Sequence, residues 1–324
     1  MEEKKRILIT GGSGFIGTNL VEFYLEKGWD VLSLDSASPR NEKHKICFRQ
    51  VDILNRQDLL QAFKDFNPHY LVHLAARTDL DETKDLHGYD SNMQGVSNVL
   101  EACNSCHLLE RAIFASSMLV CRFGYIPKND DDYAPNTLYG ESKVVTEKII
   151  KESPPSCSWL IVRPTSIWGP WFGVPYRSFF ECVIKGIFVH PGKRAGTATY
   201  GYIGNTVCQI DALLQAEDEK VRGKIFYLGD EPANNLSEWA DEIASVASRR
   251  LLRIPYGLMR VAALVGDLLG MVGITAPLTS FRLRNMTSDN SLDLSKTVEV
   301  TGSPLYSRVE GVRKTIKWLQ EESV

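Results

Sequence analysis

The sequence predicts an α/β fold, in which a doubly wound parallel sheet is followed by a smaller C-terminal lobe. Short apolar segments alternate with helical segments through the first half of the chain, as in repeated βαβ units. These segments are almost continuously apolar, which is typical of strands buried on both faces. A glycine-rich turn directly follows the first segment, and such a turn lets a strand pass tightly into a helix.

The elements are expected in a regular order. Gly28 and Pro154 end their helices, because glycine suits a C-terminal cap and proline cannot continue a helix. Strands are predicted at 6–10, 31–34, 46–51, 70–76, 112–117, 159–162 and 224–228, and helices at 15–27, 56–66, 90–105 and 137–153.

A change of pattern after Gly169 indicates a second lobe. Aromatic, glycine and proline residues become frequent from there to Gly204. Further on, Ser307 and Glu310 have the spacing of a capping box at a helix start. We therefore predict a first domain that comprises 1–167 and 205–229. The second lobe is predicted to comprise 168–204 and 230–324.

The composition excludes several classes of function. The chain has 324 residues, 44% of them hydrophobic and 24% charged, with a net charge of −3. No basic stripe interleaves with aromatic residues, so we expect no nucleic-acid partner. No apolar signal segment precedes the strand at 6–10, so a cytoplasmic protein is expected. Cys103 and Cys106-His107 are spaced like a haem attachment motif, but we interpret them as a helix end and expect no metal.

The longest apolar stretch, 254–277, has two possible interpretations. Arg260 and Asp267 interrupt it, so it does not supply the roughly 20 mostly apolar residues of a membrane span. We expect a buried or pocket-lining helix of the second lobe. Contact with a membrane surface is the alternative.

The glycine-rich turn predicts a dinucleotide site. Gly11, Gly14 and Gly17 follow a strand and open a helix, with Phe15 and Ile16 between the last two glycines. The glycines allow a tight turn, a close approach of a pyrophosphate and close packing of the helix on the sheet. The N–H groups at the helix start favour phosphate.

Two acidic positions refine this prediction. Asp35 ends the second strand, where a carboxylate can accept hydrogen bonds from both ribose hydroxyls and would repel a 2′-phosphate. NAD is therefore the expected cofactor rather than NADP. Asp52 and Ile53 follow the third strand, and they are placed either to contact the adenine or to cap the strand end.

Tyr139 and Lys143 supply the predicted chemistry. Four residues apart, they lie on one face of a helix. An ammonium beside a phenol favours the phenolate and makes tyrosine a usable proton acceptor near neutral pH. With Ser116 and Ser117 ending a strand upstream, the pair indicates hydride chemistry on an alcohol or ketone.

Together these motifs resemble the extended short-chain dehydrogenase/reductases, in their NAD-dependent epimerase/dehydratase branch. The resemblance implies a Rossmann fold with NAD as cofactor, and a homodimer formed through the helices near 90–105 and 137–153. The matching segments occur in the expected order over the first half of the chain: Thr10–Gly17, Asp52-Ile53, His73-Leu74-Ala75-Ala76, Asn92-Met93-Gln94-Gly95, Ser116-Ser117, Tyr139–Lys143 and Arg163-Pro164.

The resemblance also implies roles for individual residues. Tyr139 would be the general acid/base, Lys143 would lower its pKa and hold the nicotinamide ribose, and Ser117 would hydrogen-bond the reacting oxygen. Asn92 would support the helix and a water path, or act as a helix cap. Arg77 would flank the cofactor, or be a solvated loop charge. The remaining cofactor contacts would come from Leu74, Ala75, Ala76, Ser116 and Pro164.

The residues after Ser117 restrict the reaction. In the sugar-nucleotide 4,6-dehydratases of this family, an Asp-Glu pair follows the catalytic Ser or Thr. Met118 and Leu119 occupy those positions here. Neither side chain can carry a proton, so 4,6-dehydration is not expected.

The substrate lobe departs from the family pattern. Ser166 stands where an Asn usually contacts the substrate phosphates, and Arg194 is a possible replacement for an Arg that usually binds the diphosphate. His190 is a further candidate, and Arg177 could bind an anion or form a surface salt bridge. For the aromatic residues of this segment core packing is expected: Trp168, Trp171 and Tyr176.

The resulting hypothesis is an NAD-dependent nucleotide-sugar 4-epimerase that acts by transient hydride transfer. One alternative is an NAD(P)-dependent 4-keto-sugar-nucleotide reductase. Another comes from Ile254-Pro255-Tyr256 and Asp293–Lys296, which look similar to 3β-hydroxysteroid dehydrogenases and would suit an apolar alcohol.

Overall fold

The computed structural model describes residues 4–82, 84–191, 194–271, 273, 276 and 278–322. The chain divides into two compact units. The first unit comprises Met1–Thr165, Ile203–Gly229 and Leu294–Ser303. The second unit comprises Ser166–Tyr202, Asp230–Asp293 and Pro304–Val324.

The described residues form strands and α-helices in the following order. The strands are β1 Arg6–Thr10, β2 Asp30–Asp35, β3 Phe48–Gln50, β4 Tyr70–His73, β5 Arg111–Ala115, β6 Ser158–Pro164, β7 Ser166–Trp168, β8 Val189–His190, β9 Thr197–Ala198, β10 Tyr200–Tyr202, β11 Ile225–Leu228, β12 Asn234–Asn235 and β13 Leu252–Arg253. The helices are α1 Phe15–Glu26, α2 Arg56–Phe66, α3 Asp90–Asn104, α4 Leu138–Glu152, α5 Tyr176–Ile184, α6 Ile203–Gln215, α7 Asp218–Val221, α8 Leu236–Val246, α9 Tyr256–Met271, α10 Ser280–Thr287, α11 Ser295–Thr301 and α12 Arg308–Glu322.

The first unit is built on a seven-stranded sheet. Its strand order is β3-β2-β1-β4-β5-β6-β11, and every neighbouring pair is parallel. The chain reverses its direction of winding between β1 and β4, where the carboxyl ends of two parallel strands border a crevice that suits a ligand. The predicted doubly wound α/β fold is confirmed.

Short-range interactions explain where the helices of this unit begin and end. The side chain of Asn55 accepts a hydrogen bond from Asp58 N at the start of α2, and Thr137 accepts one from Gly140 N at the start of α4. Each such cap satisfies an N–H group that has no partner within the helix. Asn67, in the left-handed region with φ 48°, ends α2.

The second unit has a different construction. Its strands form two-stranded sheets only, β10 with β7, β12 with β9, and β13 with β8. An aromatic core takes the place of a large sheet: the Trp168 ring centroid lies 5.1 Å from that of Trp239 and 5.5 Å from that of Phe180. Trp168 is fully buried. At the start of α12, Ser307 N donates to Glu310 Oε2 at 2.8 Å, in the predicted capping geometry.

Several sequence predictions differ from the structure, and three of them concern the third strand, the unit boundaries and helix α9. The third strand is shorter than expected, because residues up to Cys47 form a 3₁₀ helix. Residues 294–303 belong to the first unit rather than the second lobe, and Thr297 Oγ1 donates to Tyr227 O of β11 at 2.7 Å. Helix α9, expected to be buried, is largely exposed, because only the side that bears Met259 and Ala263 is covered.

Candidate functional site

The glycine turn between β1 and α1 is tightly packed. Gly11 has φ +73°, and a Cβ there would lie 2.6 Å from Ala75 N. A Cβ at Gly17 would overlap the carbonyl oxygen of Gly11, which also accepts a hydrogen bond from Gly14 N at 3.0 Å. Among the described residues no side chain caps the start of α1, which leaves this helix end suited to a phosphate. Phe15 and Ile16, in its first turn, are half-buried.

Asp35 lies at the end of β2 and is tied to this turn. Its carboxylate oxygens accept hydrogen bonds from Ser13 N and Ala37 N, both at 3.0 Å. Each carboxylate oxygen can accept more than one hydrogen bond. The two bonds therefore orient the Asp35 carboxylate and still allow it to accept hydrogen bonds from ribose hydroxyls. The geometry is compatible with the predicted preference for NAD.

The loop after β4 is held against β1 by one buried threonine. Thr10 Oγ1 lies 2.7 Å from His73 Nδ1 and accepts a hydrogen bond from Ala75 N at 3.3 Å. Leu74 N donates to Thr10 O at 3.0 Å, and Ala76 follows, half-buried. Burial, together with the nearby Lys143 charge, lowers the pKa of His73 to about 3. The ring is therefore neutral and holds the loop in place.

Asn92 and Arg77 join this loop to the helices. The Asn92 amide accepts from Arg77 N at 2.8 Å and donates to Arg77 O at 3.0 Å and to Ser142 Oγ at 2.9 Å. The Arg77 guanidinium binds the Asp79 carboxylate with two nitrogens and Gly88 O with a third. Both side chains are thus engaged in organising the loop. Asn92 is not the helix cap given as its alternative, because no described side chain caps the start of α3.

The end of β5 meets the start of α4 at a pair of hydroxyls. The Ser117 hydroxyl lies beside the Tyr139 phenol and acts to lower its pKa. Ser117 Oγ also accepts from Leu119 N at 3.1 Å, and so begins the 3₁₀ turn 118–120. One serine therefore both fixes its own loop and contacts Tyr139.

The pKa of Tyr139 differs from the sequence prediction. Burial dominates and raises it to about 12, because removal from water disfavours the phenolate. Lys143 Nζ lies 6.0 Å from the Tyr139 ring centroid and donates instead to Ala115 O at 3.0 Å. Burial also lowers the pKa of Lys143 to about 8, although Glu147 opposes this shift. The predicted lowering of the Tyr139 pKa by Lys143 is not present in this structure.

A buried ion pair anchors α4, and sequence reasoning missed it. Arg163 donates from Nε and Nη2 to the two Glu147 carboxylate oxygens, both at 2.8 Å, and from Nη1 to Tyr227 Oη at 3.0 Å. Both charged side chains are at most 1% exposed. Glu147 follows Lys143 by four residues, as Lys143 follows Tyr139. This repeat in the sequence could have indicated that Glu147 lies on the same buried face of α4.

Other predicted contacts surround the same edge of the sheet. Ser116 Oγ is buried without a hydrogen-bond partner among the described residues, which is costly unless a ligand supplies one. Pro164 ends β6 beside Leu228 of β11. Asp52 is exposed and accepts from Leu54 N at 2.9 Å, as a turn residue does. Ile53 is buried.

The residues present fit a bound dinucleotide. The glycine turn keeps side chains away from the start of α1, Asp35 stands at the end of β2, and Ser116 offers a buried hydroxyl. These groups lie at the carboxyl ends of β1, β2 and β5 in one parallel sheet, the edge at which α/β proteins bind nucleotides.

The predicted substrate residues are engaged within the second unit. Ser166 lies beside Tyr176 and acts to lower the pKa of its phenol, although burial dominates and raises it. Arg177 pairs with Glu181 at 3.0 Å and with Glu322 at 2.7 Å, so it forms the surface salt bridge rather than an open anion site.

The other two candidates also have neighbours of their own. His190 is buried, with Nε2 3.3 Å from Asp241 Oδ2. Arg194 lies over the Tyr256 ring, 4.6 Å from its centroid.

The strand order and the glycine turn define the class of dinucleotide-binding α/β proteins. The model of the NAD dependent epimerase/dehydratase family matches residues 7–229. The chain belongs to this family, and it is therefore an NAD-dependent enzyme, as the sequence predicted.

Curated relatives have more than one activity. The chain is 29% identical over 272 residues to a 3-beta-hydroxysteroid dehydrogenase of Mycolicibacterium neoaurum. That alignment covers 77% of this chain and 72% of the relative. It is 25% identical over 322 residues to an N-acetyl-alpha-D-glucosaminyl-diphospho-ditrans,octacis-undecaprenol 4-epimerase of Escherichia coli O157:H7. That alignment covers 96% of this chain and 94% of the relative. Its fold is similar to that of UDP-glucose 4-epimerase from Thermotoga maritima with UDP-glucose, with a TM-score of 0.74, 19% identity, and coverage of 98% of this chain and 100% of that chain.

Proposed function

We propose that this enzyme is an NAD-dependent 4-epimerase of a sugar attached to a diphosphate, as in a nucleotide sugar. The observation that carries the proposal is the Ser117 hydroxyl beside the Tyr139 phenol, together with Met118 and Leu119 as the residues that follow Ser117. Such a site can move one proton to and from a sugar hydroxyl, whereas elimination of water requires further proton carriers. The 4-epimerase of E. coli also aligns over 96% of the chain, against 77% for the steroid dehydrogenase.

In the proposed reaction the chain supplies the proton chemistry. When bound, NAD would supply a reversible hydride acceptor and a positive ring charge. Tyr139 takes the proton of the sugar hydroxyl while Ser117 hydrogen-bonds the same oxygen, and Tyr139 returns the proton when the ketone is reduced on its opposite face. Because the pKa of Tyr139 is about 12, proton uptake near neutral pH requires nearby positive charge. Lys143, on the same face of α4, would contribute it if its ammonium turned from Ala115 O toward the phenol.

The decisive test uses the enzyme without added cofactor. Purified protein is denatured, and the released dinucleotide is identified by mass. Native protein is then incubated with UDP-glucose or UDP-N-acetylglucosamine, and the C4 epimer is sought by NMR. Released NAD and epimer formation are expected. Net consumption of NADH or NADPH with a 4-keto sugar would instead identify a reductase.

A dehydrogenase of an apolar alcohol is the second candidate. The predicted phosphate-binding residues Ser166 and Arg177 are engaged with Tyr176 and with Glu181 and Glu322, which weakens the case for diphosphate recognition. The similarity to a steroid dehydrogenase points the same way. Formation of NADH from a 3β-hydroxysteroid and NAD, without epimerisation of any sugar, would favour this function.

A further inference from the structure

Helix α9 of the second unit has an exposed apolar face. The side chains on it recur every three or four residues, so they form one stripe on the helix. Each is between 50% and 83% exposed: Leu258, Val261, Leu264, Val265, Leu268 and Met271. Isolated exposed apolar residues are ordinary on protein surfaces, but a continuous patch indicates an interaction site.

The opposite side of α9 is fixed to its own unit. Met259 and Ala263 are buried in a cluster with Leu283 of α10. Gly266 packs so closely that a Cβ would overlap the carbonyl oxygen of Leu278. The helix therefore has a definite orientation, and its second apolar face is left for a partner.

The chain segment that contains α9 and α10 is rich in arginine. Residues 249–284 contain six arginines, one aspartate and no lysine or glutamate, although the whole chain has a net charge of −3. Arg260, Arg282 and Arg284 are exposed. The one aspartate, Asp267, accepts a hydrogen bond from Ser280 N at 3.0 Å. An apolar stripe beside exposed arginines is complementary to a surface that is both anionic and apolar.

We propose that α9 docks in the plane of an anionic phospholipid bilayer. A helix of this kind buries its apolar face at the boundary of headgroups and acyl chains, while arginines contact lipid phosphates. Within the described residues no helix is long and apolar enough to cross a membrane, so α9 lies on the surface. A second copy of the chain is a poorer partner, because a symmetric contact would bring two basic segments together.

Vesicle flotation tests this proposal with the full chain. The vesicles contain either phosphatidylcholine alone or equal parts of phosphatidylcholine and phosphatidylglycerol. Wild-type protein should float with the anionic vesicles, and salt should weaken the binding. Leu264→Gln with Leu268→Gln should lower the apparent affinity about tenfold or more, and Arg260→Gln with Arg284→Gln should do the same.

A matched control changes exposed aliphatic residues elsewhere. Ile126 and Leu305 are 79% and 69% exposed, and their double glutamine variant should float like wild type. Circular dichroism and thermal unfolding verify that each variant folds. The proposal is overturned if wild type does not float, or if the α9 variants float equally well. It is also overturned if sedimentation shows a dimer that the Leu264 and Leu268 changes dissociate, without vesicle binding. None of these readouts depends on the substrate of the enzyme.

Discussion

Two regions of the molecule were expected to bind ligands: the edge of the first unit's sheet formed by the carboxyl ends of its strands, called the sheet edge below, and the segment 166–202 of the second unit. They differ in whether their polar side chains are already paired with neighbouring residues. At the sheet edge, Ser116 has a buried hydroxyl without a hydrogen-bond partner among the described residues, and the Ser117 hydroxyl lies beside the Tyr139 phenol. In the second unit, Ser166 and Arg177 are engaged with neighbours of the same unit.

The difference shows what a parallel sheet contributes. Strands that run in one direction bring their carboxyl ends to one edge, so residues far apart in sequence meet there irrespective of their side chains. The part of the second unit that the structure describes has two-stranded sheets only, and its side-chain positions depend on specific packing. We therefore expect substitutions at the sheet edge to affect chemistry and cofactor binding, and those at Arg177 to affect little.

The largest effect is expected for Tyr139→Phe. The variant retains the ring but loses the proton carrier, so turnover should fall by about 10³-fold or more, at the upper part of the range for general acid–base catalysis. The affinity for NAD, measured by fluorescence titration, should change little. Undiminished turnover would remove the basis for treating the sheet edge as the catalytic region.

The next effect concerns the ion pair that anchors α4. Arg163→Met leaves Glu147 buried and without its partner, which should lower the free energy of unfolding by about 3–5 kcal/mol. Urea unfolding measures this loss. The double variant Arg163→Met with Glu147→Leu should recover part of it, because no unpaired charge is left buried. A loss below about 1 kcal/mol for the single variant would show that the pair contributes no more than a surface pair.

A smaller effect, specific to acid, is expected at His73. Burial lowers the pKa of His73 from 6.5 to about 3, so between these values the unfolded chain binds the proton and the folded chain does not. The free energy of unfolding should therefore fall as pH falls below 6.5, by up to about 1.4 kcal/mol per pH unit from this group. His73→Asn should flatten that slope in urea unfolding at a series of pH values. His87→Asn, at a side chain 90% exposed, is the control and should leave it unchanged.

Asp35→Asn tests cofactor selection at the same edge. The variant keeps the shape of the side chain but loses the negative charge that would accept hydrogen bonds from the ribose hydroxyls. The affinity for NAD should therefore fall about tenfold. Discrimination against NADP should also decrease. Calorimetric titration with NADH and NADPH measures both effects. Tighter binding of NADPH than NADH to the unmodified protein would contradict the role given to Asp35.

The smallest effect is expected for Arg177→Gln. The side chain is over a third exposed, and its partners Glu181 and Glu322 are similarly exposed, so stability should fall by less than about 1 kcal/mol. KM for whichever substrate the enzyme turns over should change by less than about twofold, since the guanidinium is engaged within its own unit. A large rise in KM without loss of stability would return Arg177 to the substrate site and weaken the contrast between the two regions.

The sequence by itself determined the order of strands and helices in the first unit, the glycine turn and the spacing of Tyr139 and Lys143. These properties depend on local determinants: apolar periodicity, the conformational freedom of glycine and the pitch of a helix. The same determinants indicated the dinucleotide fold, because strand order and crossover handedness restrict the possible topologies.

Only the tertiary structure decided which side chains meet and how much water reaches them. Tyr139 has a raised rather than lowered pKa because burial outweighs the opposing effect of the nearby Ser117 hydroxyl. Arg177 forms salt bridges because α5 lies near Glu322 at the end of α12. Helix α9 is exposed because its unit covers only the side that bears Met259 and Ala263. Burial and pairing are set by groups distant in the chain, and the local pattern of a sequence does not encode them individually.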